Sequence, residues 1–483
     1  MDKNSTMGYL PDERPPFIKL LLYAVQQVIV MFPATVTVAL ITGFHISTTI
    51  FASGLATVCF LLVTGRKIPL YYGSSFSYLA AIMSLMSSEQ LLNATLDEKI
   101  AVAQFGIIMS GLVSIAAGIL VRMAGYKAVE KVLPATITGP VAMIIGLTLA
   151  GTALSDICSP NAARVLPDAA EIAVNYAWLI GLITLLATIL FTVYLKGFLG
   201  QLPLLLGPIV GCLAAAVLIP TTGVNLFRVI PDAVAGTFFQ VPHFTLPRPT
   251  LYAVLAIMPI AIATIPESTA HIFQLDIYVN DLARKKGSRK VYNLSEKLGL
   301  NLIGDGIGDM VSAFVGGPAG TNYGENISAM AVTKVFSTAV LFAAAIIAML
   351  LSFFTPLINA IYSLPQAVIG GLEVFLFGAI AAQGIAIMIE KKVDMFSAKN
   401  IAVIAVVMII GIGGNYAFGG NIPLFSYYKN VDGQSVLSTF SAPCIAAAAV
   451  FGILLNLLLS IGEKKPEENV KKKKDMHLKK NKK

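Results

Sequence analysis

Apolar segments long enough to cross a bilayer recur along the whole chain, and they restrict the fold more than any other feature. A helix needs roughly 20 apolar residues to span the hydrocarbon core. Only 12% of the 483 residues are charged, against about 25% in a soluble domain. The sequence therefore predicts an all-α polytopic membrane protein without a large soluble domain. We mark fourteen segments, which begin near Ile18, Ser47, Pro69, Val102, Val132, Ala173, Leu202, Leu251, Asn293, Ala313, Val335, Pro365, Lys399 and Ser441.

Lysine and arginine are distributed unevenly between the two ends of these segments. With fourteen spans, all but five of the 34 basic residues fall on the side of both termini. Because basic loops stay in the cytoplasm, residues 1–17 are predicted to be a cytoplasmic N-terminus of a protein in the cell membrane. Residues 463–483 form a polybasic tail, which is expected to be disordered and to meet anionic lipid, not nucleic acid.

The third and tenth segments are shorter than the others and are interrupted by glycine and polar residues. The clearest interruption is Gly316–Lys334, with the sequence GGPAGTNYGENISAMAVTK. Irregular backbone at membrane depth survives only where it is buried in protein or lines a cavity. We therefore expect short extended breaks in spans three and ten. An ionisable residue beside such a break marks a substrate or ion site.

Two short sequence matches relate the halves of the chain to each other. The stretch YGSSFS at 72–77 matches YGENIS at 323–328, and LPATITG at 133–139 matches LPQAVIG at 364–370. These matches connect span three with ten and span five with twelve, which indicates a repeat of seven spans. Because seven is odd, the second copy enters the membrane from the opposite face, and the two repeats are predicted to be inverted.

Four side chains in the third, eighth and tenth segments are candidates for binding. Glu267 and His271 are four residues apart in the eighth segment and share a helix face, and Glu325 follows the break in the tenth. Burial of such groups is costly, so function is favoured over a structural polar stripe. Helix starts at the breaks offer N–H donors, and Phe76 offers an aromatic face. This set suits a small, flat, neutral ring with N–H and C=O groups, whereas an anion would need Arg or Lys.

Concentration of a neutral solute requires a coupled ion. The sequence offers two carboxylates and one histidine at membrane depth and no evident sodium cage. Burial disfavours the charged form of a carboxylate, so such a group can take up a proton. A histidine one turn away can stabilise or relay that proton. Glu267 and His271 are therefore predicted to couple transport to protons.

Other classes of function fit the sequence less well. Asp305 and Asp309 are interpreted as ion ligands or as structural groups, and the structural interpretation is favoured. The four cysteines are not spaced along the sequence as metal ligands are. No metal or other cofactor is expected. No nucleophile or metal cluster accompanies Glu267 and His271, so an enzyme is not expected. A channel would need a continuous polar pore, whereas the polar residues of this chain concentrate at one depth. ATP-driven transport would need a nucleotide-binding loop, and the sequence contains none.

Four motifs carry a resemblance to a known family. They are YGENI at 323–327, the wider pattern of Glu325, Asn326, Thr333 and Lys334, the stretch GSSF at 73–76, and the pair Glu267 and His271. Together they resemble the motifs of the nucleobase–ascorbate transporters (nucleobase:cation symporter-2), and within that family the bacterial uracil permeases. The resemblance covers essentially the whole chain.

This resemblance implies a transporter domain at 18–462 with fourteen spans in two inverted repeats. Spans 1–4 and 8–11, about 18–122 and 251–354, would form a core domain. Spans 5–7 and 12–14, about 130–222 and 364–462, would form a gate domain. The implied function is uracil–proton symport by alternating access of the elevator type, in a homodimer that forms through the gate domains.

The resemblance also implies roles for individual residues. Glu267 and Glu325 would hold the base, flanked by Phe76 and by the backbone at Tyr323 and Gly324. His271 would support the proton-linked site. The remaining motif residues would have supporting roles; they are Ser75, Asn326 and Thr333.

Two positions depart from the family pattern, and two alternative substrates stay open. Gln27 stands where the family has histidine in the first span, and Ser328 stands where it has glycine after the signature. A xanthine or other purine permease is disfavoured because Glu325 occupies the position at which that branch is expected to have glutamine. A sulfate or bicarbonate carrier of the same fold is disfavoured because no Arg or Lys lies at membrane depth near the breaks.

Overall fold

The computed structural model describes residues 8–125, 133–160, 170–230, 237–431 and 434–461, so the predicted polybasic tail and the first seven residues lie outside it. The strands are β1 Tyr72–Ser74, β2 Gly320–Asn322, β3 Asn421–Val431 and β4 Gln434–Pro443. The helices are α1 Phe17–Thr42, α2 Ile46–Val63, α3 Leu79–Met86, α4 Leu96–Ala124, α5 Ala135–Thr148, α6 Ala150–Ile157, α7 Ala170–Tyr194, α8 Pro203–Thr222, α9 Leu251–Ile257, α10 Ala261–Lys285, α11 Leu298–Phe314, α12 Gly324–Thr333, α13 Thr338–Leu351, α14 Thr355–Tyr362, α15 Gln366–Glu390, α16 Ala398–Phe418 and α17 Cys444–Leu459.

The fold is predominantly helical, as the apolar segments predicted. Within the described part of the chain, nine helical stretches are long and apolar enough to cross a membrane. Three further apolar helices are shorter: Phe76–Met86, Thr338–Leu351 and Cys444–Leu459. Helices α11 and α12 occupy the segments that carry Asp305, Asp309 and Glu325. The count of fourteen spans and the inverted repeat stay predictions.

The prediction of an all-α chain was wrong between α16 and α17. There, β3 and β4 form an antiparallel hairpin in which Asn421 pairs with Pro443 and Val431 pairs with Gln434. The strands are rich in aromatic and β-branched residues, which favour extended structure. In the sequence they flank an Asp-Gly dipeptide, a strong hairpin signal. Hydropathy alone overlooked this signal because the segment is too polar to span a membrane.

The extended breaks expected in spans three and ten are strands β1 and β2, and they pair with each other. The pairing is antiparallel, with Gly73 opposite Thr321. A side chain at Gly73 would clash, because a Cβ there would lie 2.4 Å from the Tyr323 ring. The backbone groups of one break thus find partners in the other, which meets the requirement for irregular backbone at membrane depth.

Asp309 and Asp305 of α11 accept hydrogen bonds from residues of this strand pair. Asp309 is buried, and its Oδ1 accepts hydrogen bonds from the Tyr72 hydroxyl at 2.6 Å and from the Gly320 N–H at 2.8 Å. Asp305 accepts a hydrogen bond from the Asn322 side-chain amide at 2.7 Å and another from Ser268 of α10. These contacts support the structural interpretation of both aspartates.

Two connectors run together at one end of the helices. The long connector is residues 223–250, described except for 231–236, and the short connector is residues 352–365, which include α14. An isolated antiparallel bridge joins Phe239 to Phe354. Backbone hydrogen bonds tie the connectors from Gln240 N to Phe353 O (3.0 Å), from Thr355 N to Phe238 O (3.2 Å) and from Arg228 N to Ser363 O (3.0 Å).

An N-terminal strap, residues 8–16, crosses the opposite end. The Tyr9 N–H donates to the Lys334 carbonyl at 2.8 Å, and the Tyr9 carbonyl accepts from the Phe336 N–H at 2.7 Å. The Lys286 ammonium donates to Glu13 Oε2 at 2.6 Å, and the Lys286 side chain is only 9% exposed. The strap therefore provides a carboxylate partner for the ammonium group of Lys286, a side chain that is almost fully buried.

Asp12 adds a second ionic contact to the strap, because its carboxylate accepts from Lys290 Nζ at 2.6 Å. Burial raises the pKa of Asp12, but hydrogen bonds from Lys290 and Tyr292 outweigh burial and hold this pKa below its ordinary value. Its contribution to stability is thus present above the ordinary pKa of about 3.9. That contribution is lost as pH falls through the lowered value.

We expect Glu13→Gln to loosen the strap, because it replaces the carboxylate that accepts from the Lys286 ammonium with a neutral amide. Hydrogen bonds to charged groups contribute more than neutral ones, so the substitution costs roughly 1 kcal/mol. Hydrogen exchange should accelerate at the amides of residues 8–16 and at Phe336. Arg14→Gln is the matched control, since it changes an exposed charge in the same segment. Unchanged exchange in Glu13→Gln, or equal acceleration in both variants, would contradict this account.

Candidate functional site

A cavity of about 400 Å³ opens beside the paired breaks. Its volume falls in the range of small-molecule sites, roughly 300–1,000 Å³. Six of the nine residues predicted for the site line it: Phe76, Glu267, His271, Tyr323, Gly324 and Glu325. The remaining three, Ser75, Asn326 and Thr333, are not among its lining residues.

Glu267 approaches the first break from α10. Its Oε2 accepts a hydrogen bond from the Ser77 hydroxyl at 3.2 Å. Ser77 belongs to a short 3₁₀ helix, Phe76–Tyr78, that begins directly after β1. Ser75 caps this helix, because its side chain accepts from the Ser77 N–H at 3.3 Å. The same turn therefore sets the position of Phe76 and gives Glu267 a partner.

Glu325 lies in the first turn of α12, directly after the second break. Tyr323 is the N-cap residue, and its side chain makes no capping hydrogen bond. The Tyr323 hydroxyl instead donates to the Ser74 carbonyl at 3.0 Å and lies 2.9 Å from the Thr35 hydroxyl. The start of α12 thus lacks a side-chain cap, which leaves its first N–H groups available to a ligand.

His271 packs closely against the start of α12. A Cβ added to Gly324 would lie 3.0 Å from His271 Nε2, which is tighter than ordinary van der Waals contact. His271 Nδ1 is buried without a hydrogen-bond partner among the described residues. The histidine therefore stands between Glu267, one turn away on the same helix, and the helix start that carries Glu325.

The predicted supporting residues make structural contacts beside the cavity. The Asn326 side-chain amide donates to both the backbone carbonyl and the Oε1 of Gln27, at 3.0 and 2.8 Å. Gln27, which departs from the family pattern, thus fastens α12 to α1. The Thr333 hydroxyl donates to the Ala329 carbonyl within α12 at 2.9 Å. Ser328, the second departure, lines the cavity itself.

The far wall of the cavity was missed by the sequence analysis. It comes from α7, α8, α15 and the turn before α8, and its polar members are Thr192, Gln201 and Gln383. Gln383 interrupts the apolar sequence of α15, and that interruption was the available signal. The cavity is thus lined both by residues within 74–76 and 267–328 and by residues within 192–204 and 375–383.

The described residues that line the cavity include acidic side chains but no lysine or arginine. The acidic residues are Glu267 and Glu325, and both face the cavity. The lining also offers amide and hydroxyl groups and the aromatic side chains of Phe76 and Phe375. Such a site provides acceptors for ligand N–H groups but no cation for a ligand anion.

Known permeases are similar in sequence to this chain over nearly its whole length. Residues 18–420 match a family model described as a permease family. The chain is 33% identical to a uracil permease of Bacillus caldolyticus, over 95% of this chain and 96% of that protein. It is 32% identical to the putative pyrimidine permease RutG of Escherichia coli K12, over 93% and 91% of the two chains. These relatives are permeases, so the chain is a multi-pass membrane transport protein and not an enzyme.

Solved structures confirm the general fold at low sequence identity. The transmembrane domain of a cyanobacterial bicarbonate transporter, BicA, superposes with a TM-score of 0.57 at 15% identity, over 84% of this chain and 98% of that one. The murine Solute Carrier 26 family member A9 anion transporter, in its inward-facing state, gives 0.62 at 14%, over 95% and 72%. The family model and the permease relatives together show that the chain belongs to the nucleobase–ascorbate transporter (nucleobase:cation symporter-2) family, in its bacterial uracil permease branch.

Proposed function

We propose that this protein imports uracil across the cell membrane by proton symport. Membership of the family supports nucleobase transport. The observation that carries the proposal for uracil is the cavity in which Glu267 and Glu325 face the same space without a lysine or arginine. Uracil is a flat, neutral ring with two N–H donors and two C=O acceptors, so it complements this lining.

In this proposal the two carboxylates accept hydrogen bonds from ring N–H groups. The uncapped N–H groups at the start of α12 donate to a ring carbonyl, beside Tyr323 and Gly324. Phe76 stacks on the ring face. Ser75 and Asn326 act indirectly, because they hold the helix starts at β1 and α12, and Thr333 supports α12 from within.

Proton coupling is assigned to Glu267 and His271. The Nδ1 of His271 is buried without a hydrogen-bond partner among the described residues, so it can take up a proton without losing another contact. A proton on Glu267 neutralises one of two facing carboxylates, which lowers their mutual repulsion. The protonated carboxyl keeps a carbonyl oxygen that still accepts from a ring N–H, so in this proposal Glu267 carries the proton and contacts the base at the same time.

We further propose that core and gate domains alternate access by an elevator-type movement. The cavity is lined from both sets of spans, so relative movement of the two sets would open it to either side. The fourteen spans, the inverted repeats, the homodimer through the gate domains and the cytoplasmic termini belong to this proposal. β1 lies inside the first matching stretch, at 72–77, and β2 ends directly before the second, at 323–328. Their antiparallel pairing brings the two stretches together, which supports the inverted arrangement.

Two other substrates are outcomes of the same test. A purine permease would accept xanthine, and an anion carrier would accept bicarbonate or sulfate. In proteoliposomes we expect unlabelled uracil to compete with radiolabelled uracil, and xanthine, hypoxanthine and sulfate to leave uptake unchanged. Competition by xanthine as strong as that by uracil would replace the substrate assignment. Failure of uracil to enter at all would reject it.

Glu325→Ala should abolish uracil binding, because a ring N–H would lose its acceptor inside the cavity. An unpaired buried donor costs about 1–3 kcal/mol, and more where the lost partner was charged. Glu325→Gln should retain part of the affinity, since its amide oxygen still accepts. Binding of radiolabelled uracil to purified protein measures both. Glu296→Ala, at an exposed position in the 3₁₀ helix Ser295–Lys297 before α11, is the control, and near-normal affinity in Glu325→Ala would refute the assignment.

Uptake into liposomes should follow an imposed proton gradient and ignore a sodium gradient. It should increase as external pH falls from about 7.5 to 6, because a lower external pH steepens the proton gradient and favours protonation of a buried carboxylate such as Glu267. We expect His271→Leu to reduce concentrative uptake several-fold more than it reduces equilibrium binding, because it affects coupling and not ring contacts. Accumulation driven by sodium alone would overturn the mechanism while leaving the substrate assignment intact.

A further inference from the structure

Three potential metal ligands that are distant in sequence meet at the end of the helices opposite the N-terminal strap. His45 lies in the turn between α1 and α2, Asp97 in the first turn of α4, and His243 on the long connector. His45 Nε2 is 2.8 Å from Asp97 Oδ1, and His243 Nε2 is 2.9 Å from Asp97 Oδ2. The two imidazole rings are in edge contact, with centroids 4.6 Å apart.

The geometry of this His45–Asp97–His243 cluster is close to that of a metal site. One ligand atom from each residue lies within 4.8 Å of the others. Zinc bonds of about 2.0–2.2 Å in a tetrahedral site place ligand atoms about 3.3 Å apart. The side chains are 22%, 48% and 58% exposed for His45, Asp97 and His243. Small side-chain rotations, which such exposure permits, bring the three atoms to the required spacing.

Access to the cluster is open from one side. His45, Asp97 and His243 line a cavity of about 550 Å³ that also borders both connectors. A metal bound by three protein ligands would therefore have a fourth position facing this cavity, where water can enter. Two imidazoles with one carboxylate suit zinc and similar transition metals, whereas calcium and magnesium prefer oxygen ligands throughout.

We propose that His45, Asp97 and His243 form a binding site for a transition-metal dication of the Zn²⁺ class. The site is separate from the transport cavity, because none of its residues lines that cavity. Its position gives it a consequence for the fold. The long connector already bonds to the helices here, as the Thr48 hydroxyl donates to the His243 carbonyl at 2.6 Å. Bound metal would fasten the same connector to α4 and to the α1–α2 turn.

Metal binding to the purified, tag-free full-length chain tests the proposal. We expect one Zn²⁺ per chain by equilibrium dialysis, and visible absorption bands typical of four-coordinate Co²⁺ when Co²⁺ replaces it. Zn²⁺ should also raise the thermal midpoint relative to a sample in chelator. His243→Ala and Asp97→Asn should weaken binding at least tenfold and remove the thermal shift.

The chain provides a matched control in His477→Ala, which removes the histidine of the C-terminal tail. This variant should bind Zn²⁺ as the unmodified chain does. His45→Gln keeps a polar group that can still donate to Asp97, so it separates loss of a metal ligand from loss of folding. If His45→Gln and His243→Ala bind Zn²⁺ as tightly as the unmodified chain, the proposal is wrong. Absence of saturable binding in the unmodified chain would overturn it as well.

Discussion

Backbone groups at membrane depth need partners, and the Asp309 carboxylate secures the paired breaks β1 and β2, where helices do not supply them. Its hydrogen bonds to the Tyr72 hydroxyl and the Gly320 N–H tie one group from each break to a single buried residue. The 3₁₀ helix that carries Phe76 and the helix that carries Glu325 both start from these strands. The distance between the Phe76 ring and the Glu325 carboxylate therefore depends on contacts of Asp309, which is not among the residues that line the cavity.

Much of the candidate site could be predicted because polar groups in apolar spans are costly and therefore conspicuous. Glu267, His271 and Glu325 stood out for that reason, and six of nine predicted residues line one cavity. The far wall, with Gln201 and Gln383, could not be predicted, because it depends on which spans pack across the cavity. The direction of the Tyr323 ring depends likewise on Ser74 and on Thr35, 288 residues away in sequence.

The fold as a whole was predictable in kind and less so in detail. Hydropathy indicates spanning helices but not a paired hairpin such as β3–β4, whose signal is alternation and turn chemistry. Fold likeness also says little about cargo, since the structural neighbours include anion transporters at 14–15% identity. The inference about cargo rests on the charge of the cavity, which has two carboxylates and, among the described lining residues, no lysine or arginine. Function has to be argued from such a site and not from the fold that carries it.

The pairing of the two connectors has a mechanical consequence. Backbone hydrogen bonds between Arg228, Phe238 and Gln240 of the long connector and residues 353–363 of the short one join the two connectors into a double strap, and sliding of one along the other would break these bonds. The Arg228 side chain extends this strap to Gln366 at the start of α15. A displacement of one connector is therefore transmitted to the other. Any relative movement of α8 and α9 against α13 and α15, the helices that the connectors join, would therefore have to carry both connectors together or break these hydrogen bonds.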